Sequence, residues 1–543
     1  MKVKHIFVPL FLISLYAYFV IFPLSLQPIF GDPAYHAHIS KTISKTGELV
    51  DFDPYIIATK DINWPVFYPQ IFHTMGAILY IIIGENSFSI LPVFYGIFIA
   101  ITLFTLVREY FGYVYSLISL IAVISNSWFI KYSTSYFMEI AVVFYLVACL
   151  NYLIKYVSIK DIRYAFLSSF FFGMSIATKQ TAYIFLPIFM ACILYVAFVD
   201  NNYKHAGLMV GVTFIISVAP LMYLFSVTGT IFYPGDLPSP IDKLQSDVAN
   251  VLNIKVLKQS DDWSIYGSGS VRRKQELKTW RNINNVILSL NPFNNLGLDR
   301  WGHIKLQPSY TYLWIFILLS AILLSIFNIY RMPAYTTIMY GSMLFFLISL
   351  SIFARPRYFL ILFIIFPTVI VTEFVYYLSR VIDKRMHVFI TSIITILLIL
   401  SMASAYYSES IRNDRVYGGG IIQNASYYRI DAYNWIKNEN NNYTIVGLTY
   451  DIAYYSEKPV IWINPLGAAD IYEAFLNKNE SNAIKVFSSY DVGYVLLDKY
   501  RIRKRAVWAG EIPMDGLVSI MDDSVYFKKV YENDIYIIYR VLY

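Results

Sequence analysis

The sequence predicts a polytopic α-helical membrane protein, with about eleven transmembrane helices and a C-terminal extracytoplasmic α/β domain. Three observations lead there. Of 543 residues, 57% are hydrophobic and only 15% charged, against roughly 25% charge in ordinary soluble chains. The apolar residues gather into runs that can cross about 30 Å of hydrocarbon, nearly all within 1–227 and 310–407. The stretches 228–309 and 408–543 read as ordinary soluble sequence. This composition excludes a wholly soluble enzyme, a disordered chain and a nucleic-acid module.

The runs of spanning length lie near 5–29, 87–107, 113–130, 138–156, 162–178, 181–199, 205–227, 310–329, 333–353, 357–378 and 388–407. The first follows Lys2, Lys4 and His5. It is too long for a signal-peptide core, and no small-residue cleavage site precedes Gly31, so it reads as a retained helix. A twelfth candidate, Val66–Ile83, carries Pro69, Gln70 and His73 near its start. If it does not cross, the short cytoplasmic connections hold Arg108, Lys155, Lys160, Arg163, Lys204, Arg331, Arg380, Lys384 and Arg385. The short outer connections hold only Lys131, Lys179, Arg355 and Arg357. The positive-inside rule favours that arrangement. The expectation is a cell-membrane protein with a cytoplasmic N-terminus and two domains. One is 1–407, the membrane domain, with long outer loops 30–86 and 228–309; the other is 408–543, outside.

Charge agrees with this division. From Glu409 onward 15 Lys/Arg face 17 Asp/Glu, which leaves +9 of the net +7 on the rest of the chain. Such a balance suits loops that meet anionic lipid, and no nucleic-acid partner is expected. Both cysteines, Cys149 and Cys192, fall in apolar runs, so the aqueous parts hold no disulfide. In the tail, Tyr427–Lys437 has helical periodicity. Thr444–Thr449, Val460–Ile463 and Tyr494–Leu497 have strand length, and Ser524–Val530 with Ile535–Val541 reads as a hairpin. Three N-x-S/T sequons, at Asn424, Asn442 and Asn479, give weak support for an outside tail.

Polar residues beside the runs carry the chemical signal. Phe30-Gly-Asp-Pro-Ala-Tyr-His-Ala-His-Ile-Ser40 follows the first helix. Asp32 suits an N-cap and Pro33 a first turn. The i, i+4 spacing sets His36 over Asp32, with Tyr35 and His38 beside them. A carboxylate and an imidazole held together there can deprotonate a hydroxyl or bind a divalent cation such as Mg or Mn; a capped interfacial helix explains the same residues. Glu139, at the expected outer end of a span, is a second carboxylate that could share a metal or a basic substrate group with Asp32; a single acid solvated at the interface explains it equally well. Arg355 and Arg357 suit a phosphate, since the guanidinium fork binds bidentately; lipid-headgroup anchoring is the alternative. Lys179 is a weaker third donor. Walker, H-E-x-x-H, C-x-x-C, G-x-S-x-G and Rossmann motifs are all missing from the sequence.

The pattern resembles the GT-C superfamily of membrane glycosyltransferases. Gly31-Asp-Pro-Ala-Tyr-His36, Gly47 and Phe52-Asp-Pro-Tyr55 are similar to the opening of the oligosaccharyltransferase catalytic subunit. Pro65–His73, Arg357–Pro367 and Thr178-Lys-Gln-Thr-Ala182 resemble segments of mannosyl- and arabinosyl-type relatives and of the wider superfamily. Ala432–Asn438 with Thr444–Asp451 looks like the stretch leading to the W-W-D-Y-G motif, where this chain has Leu448-Thr-Tyr-Asp-Ile452. The resemblance implies a glycosyltransferase that takes sugar from a polyprenyl- or dolichyl-phosphate carrier to a glycan, lipid or protein acceptor. It implies Asp32 as base or metal ligand and Glu139 and His36 as helpers. Arg357, Arg355 and Lys179 would meet the donor phosphate, and Tyr35 and His73 the acceptor. An oligosaccharyltransferase-like enzyme and a lipid or sugar flippase are the alternatives. The gathering of ionisable residues at one expected face argues against the flippase.

Overall fold

The computed structural model describes residues 4–18, 22–25, 28–59, 62–66, 68–228, 319, 323, 332–353, 360–417, 420–421, 424–447, 449, 451–463, 468–500, 502–503 and 512–543. The expected span 310–329 and the pair Arg355 and Arg357 lie outside the described residues, apart from Leu319 and Leu323. The chain divides into two compact units. The first draws its described residues from Met1–Gln27, Tyr68–Phe225 and Glu276–Glu409, the second from Pro28–Phe67, Ser226–Gln275 and Ser410–Tyr543.

The first unit is helical. It opens with α1 (Lys4–Tyr16) and α2 (Phe22–Ser25), both within the expected first span, with residues 19–21 between them outside the described residues. In α8 (Met138–Ile159), 16 of 22 residues are buried, as expected of a helix that is apolar on every face. Against it pack α5 (Ser87–Phe111) and α9 (Ile162–Thr178), and α6 (Tyr113–Ile124) packs on α5. A 66° bend separates α6 from α7 (Ser127–Ser133). Asn126 makes that bend: its Oδ1 accepts the N–H of Phe129 and caps α7, while its Nδ2 donates to the Phe363 carbonyl at 2.7 Å. Phe363 stands four residues before Pro367 in the helix Leu360–Val381. Proline has no N–H to offer that carbonyl, so a side chain from another helix supplies the donor.

Val66–Ile83 becomes α4 (Ile71–Ile83), 13 residues and so about 20 Å long, too short alone for 30 Å of hydrocarbon. Helical structure runs on to Phe111, but the chain folds back at Gly84–Asn86. Phe72 and Tyr95 would lie roughly 34 Å apart on one straight helix, yet their rings are 6.2 Å apart. Gly84, at φ 61°, permits the reversal. Among the described residues, six helical stretches are long and apolar enough to cross a membrane, or seven with the bent pair. The sequence predicts eleven. One expected span is outside the described residues, and α9, which covers the whole of its expected run 162–178, has only 17 residues against the roughly 20 that a span needs.

The second unit is an α/β body around a seven-stranded sheet of order β10-β11-β7-β5-β6-β1-β2. Its strands are β1 (Phe52–Thr59), β2 (Ile62–Pro65), β5 (Thr444–Gly447), β6 (Val460–Trp462), β7 (Val492–Asp498), β10 (Phe527–Glu532) and β11 (Tyr536–Val541). Two short ribbons, β3 (Val416–Tyr417) with β4 (Gly420–Ile421) and β8 (Ile502–Arg503) with β9 (Ile512–Pro513), stand apart. Strands β7, β5, β6 and β1 are parallel, and the terminal hairpin adds antiparallel to β7. All seven residues of β7 are buried, because helices cover both faces. Tyr494 and Leu496 point to the core under the helix Ala425–Asn438, and Val495 and Leu497 to the core under Ala469–Leu476 and Glu480–Ser489.

One expected boundary is corrected here. The sequence reading keeps 30–86 as a loop of the membrane domain, whereas Pro28–Phe67 belongs to the second unit. The reason is that β1 pairs with β6, Ile56 beside Val460 and Ile57 beside Ile461.

Helix α3 (Asp32–Thr46) is fastened to the same unit at its far end: Glu457 accepts Lys41 at 2.9 Å and Lys45 at 3.1 Å. Burial opposes ionisation of Glu457, but the hydrogen bonds and charges of the two lysines outweigh it and hold the carboxyl down to about 2. A carboxyl whose folded pKa is depressed stabilises the fold above its unfolded value of about 4.5. This fastening should therefore weaken as pH falls from about 4.5 towards 2. Protection of the amides along residues 41–46, taken as exchange relative to the intrinsic rate at each pH, should fall over that window in the wild type, and Glu457→Gln should show the lower protection already at neutral pH.

Candidate active site

The residues singled out in the sequence fall into both units. In the second unit, α3 carries Asp32, Tyr35 and His36. Gly31, at φ 69° and ψ −143°, takes the N-cap position, and Asp32 is the first helical residue. Asp32 is therefore not the cap, which corrects the bland reading of this segment. A carboxylate in the first turn is nevertheless favoured by the helix dipole. Asp32 is half-buried, and His36, one turn on, is buried. Tyr35 packs against the core formed by Ala432, Tyr433, Ile445 and their neighbours.

Three consecutive residues ahead of Asp32 are held by the tail. The Tyr455 hydroxyl donates to the Ile29 carbonyl at 2.9 Å. The Arg429 guanidinium lies over the Phe30 ring, 3.5 Å from its centre. The Gly31 N–H donates to Asp451 Oδ1 at 2.7 Å. The second oxygen of Asp451 accepts the guanidinium of Arg429, and both side chains are buried. Tyr433 lies beneath, its hydroxyl 2.9 Å from that of Tyr536, and its pKa is pushed well above the usual phenol range, chiefly by burial. Farther along α3, His38 Nε2 is 3.3 Å from Asp53 Oδ1, and both are buried. The same Asp53 oxygen accepts the N–H groups of Tyr55 and Ile56 at the start of β1.

In the first unit, Glu139 opens α8 and Lys179 ends α9. They meet as a buried ion pair, Lys179 Nζ to Glu139 Oε1 at 2.7 Å, with 4% and 5% of the side chains exposed. The ammonium also faces the Tyr68 ring, 5.4 Å from its centre. Lys179 was expected as a phosphate donor and Glu139 as a metal ligand; the structure pairs them with each other instead. Glu139 Oε2 is buried and has no hydrogen-bond partner among the described residues. His73 is buried in the first turn of α4, and its neighbour Phe72 packs on Tyr136, 4.8 Å between ring centres. No group of three His, Cys, Asp or Glu that could hold a metal ion occurs among the described residues.

Two constellations escape sequence reasoning. Glu373, buried in the helix Leu360–Val381, accepts the hydroxyls of Tyr335 at 2.7 Å and Tyr340 at 2.6 Å. Arg429 is the other: in an amphipathic helix it reads as a solvated charge, and nothing local couples it to Asp451. Only the position of Asp451, matched to the aspartate of W-W-D-Y-G, drew attention to that place.

No protein-family model matches the chain, and no curated protein matches it closely. Solved structures do match it. The apo oligosaccharyltransferase of Archaeoglobus fulgidus is 15% identical, over 98% of this chain and 80% of that one, with a TM-score of 0.63. The same organism's AglB, solved with an inhibitory peptide and a dolichol-phosphate, is 16% identical over 92% and 69%, with a TM-score of 0.59. ArnT from Cupriavidus metallidurans, bound to undecaprenyl phosphate, is 8% identical over 99% and 98%, with a TM-score of 0.58. The chain shares the fold of these proteins, as the sequence resemblance to the GT-C superfamily leads one to expect. The likeness is one of fold at low identity, and it reaches over nearly the whole chain.

The Glu139–Lys179 pair makes a direct prediction. Lys179→Met leaves a buried carboxylate uncompensated and should cost about 3–5 kcal/mol of stability. Lys179→Met combined with Glu139→Gln should regain most of that in detergent denaturation curves. A double variant no more stable than the single one would show that the two side chains are not coupled.

Proposed function

We propose that this chain is an integral-membrane glycosyltransferase that moves a sugar from a polyprenyl- or dolichyl-phosphate carrier to an acceptor hydroxyl on the outer face of the membrane. The observation that carries the reading is Asp32: a half-buried carboxylate at the start of α3, one turn from His36, in a chain of GT-C fold. Two proteins of that fold were solved with polyprenyl-type phosphates, AglB with dolichol-phosphate and ArnT with undecaprenyl phosphate.

Asp32 acts as general base. It takes the proton of the acceptor hydroxyl as that oxygen bonds to the anomeric carbon. The bond from the anomeric carbon to the carrier phosphate breaks, and the carrier leaves as polyprenyl phosphate with the electron pair. A single displacement inverts the anomeric centre. His36 and Tyr35 position the acceptor. Arg357, with Arg355 beside it in sequence, neutralises the carrier phosphate on the strength of guanidinium chemistry.

Peptide-sequon transfer, as in an oligosaccharyltransferase, is less well supported. The one aspartate that stands where the sequon-reading motif belongs, Asp451, has both oxygens engaged within the chain.

The test is a panel of radiolabelled polyprenyl- and dolichyl-phosphate sugars incubated with purified protein. Loss of label from the lipid should be seen with at least one of them. A general base contributes about 10²–10⁴-fold, so Asp32→Asn should lower kcat at least a hundred-fold while the protein stays folded. A folded variant with wild-type turnover would remove Asp32 from the mechanism. Arg357→Ala loses a charge-assisted bond of about 1.5–3 kcal/mol, so kcat/KM for the carrier should fall some tens-fold. Unchanged donor kinetics would remove Arg357 from the phosphate site.

A further inference from the structure

We propose that Asp451 and Arg429 are positioning residues for Asp32, holding the peptide ahead of it so that its carboxylate meets the acceptor. The proposal rests on the reading of Asp32 given above and adds to it the part of the tail on which that reading depends.

The geometry is continuous from the tail to Asp32. The Gly31 carbonyl starts α3, accepting the N–H groups of Ala34 at 2.9 Å and Tyr35 at 3.2 Å. The Gly31 N–H, on the other side of the same residue, is taken by Asp451. The direction of the first turn, and with it the place of Asp32, is therefore set through a residue that Asp451 grips. Gly31 has φ 69° and ψ −143°, a conformation that side-chain-bearing residues rarely adopt. No atom lies within 4 Å of where a Cβ would stand, so glycine is required there by backbone conformation and not by space. Such a conformation persists only where the surroundings over-determine it. Here they do: Ile29 is held by the Tyr455 hydroxyl, Phe30 by the Arg429 face and the Tyr455 ring at 5.8 Å, and Gly31 by Asp451.

Arg429 has two tasks that one planar cation can combine, donating to Asp451 in its plane and covering Phe30 with its face. Lysine can supply the charge but not the face. Asp451 is 1% exposed. It holds its own chain with both oxygens, so its effect on the reaction should appear in the chemical step and not in capture of the donor.

The experiment uses the full chain, comparing wild type with Asp451→Ala, Asp451→Asn, Arg429→Lys and Asp32→Asn. Amide exchange over residues 29–36 is measured beside turnover of the polyprenyl- and dolichyl-phosphate sugar panel. A misplacement of about 1 Å can cost some 10²-fold. In Asp451→Ala, exchange over 29–36 should rise at least ten-fold and kcat should fall about a hundred-fold, with KM for the lipid-phosphate sugar within two-fold of wild type. Asp451→Asn still offers Gly31 an oxygen but turns an NH2 toward the Arg429 guanidinium, so it should recover only part of both. Arg429→Lys should fall between and keeps the comparison informative if Asp451→Ala does not fold. Unchanged exchange at 29–36 overturns the proposal, as does raised KM with unchanged kcat. Raised exchange with unchanged kcat, while Asp32→Asn is inactive, also overturns it, because Asp32 then needs no such hold. Full turnover by Asp32→Asn overturns the reading of Asp32 itself, and the exchange result then shows separately that the clasp is only structural.

Discussion

The pairing of β1 with β6 is the constraint from which the second unit follows. Two strands from the segment after the first apolar run, β1 and β2, extend a sheet otherwise made by the last fifth of the chain, with Ile57 beside Ile461. Bringing such distant segments together costs loop-closure entropy, but that cost grows only slowly with length. The parallel ladder and burial of Ile56 against Val460 and Ile445 offset it. Once β1 is in the sheet, α3 is committed as well, since only a short stretch joins them. The contact between Gly31 and Asp451, 420 residues apart, becomes a local matter inside one folded body.

Among the described residues, several buried ionisable groups in both units are met by a partner from another element. Glu139 has Lys179, Asp451 has Arg429, Asp53 has His38, and Glu373 has two tyrosine hydroxyls. An isolated charge away from water would cost several kcal/mol, so pairing is the condition for its presence. Pairing is not thereby a source of stability, because an apolar replacement of both partners often does as well. What the pairs do fix is register between elements. Asn126 shows the same economy without charge, capping one helix and satisfying the carbonyl that Pro367 leaves open in another.

What the sequence made legible was set by periodicity. The tail's strands at 444–447, 460–462 and 492–498, its hairpin and its helix at 425–438 lie where apolar spacing put them. The strands β1 and β2 were not legible, because Pro54 and Pro65 break the alternation that marks a strand and their partner is remote in sequence. The place of Asp32 was legible from its spacing to His36, but the cap was misassigned. Asp-Pro is a good capping sequence, and only the backbone shows that Gly31, turned to positive φ, holds that position. The Glu139–Lys179 pair was hidden for a different reason. Its members are 40 residues apart on neighbouring helices, each plausible alone as a ligand.

Asp451 shows how one residue type at one place can carry two incompatible roles. A carboxylate that reads an incoming acceptor must present free oxygens, and its loss weakens capture of that acceptor. A carboxylate that grips a glycine N–H and a guanidinium has spent both oxygens inside the protein. Its loss loosens the backbone it holds and leaves other surfaces as they were. The buried position and the filled hydrogen bonds of Asp451 fit the second description. In the proposed reaction the tail would then serve by fixing where the carboxylate of Asp32 stands, with selection of the acceptor left to side chains other than Asp451.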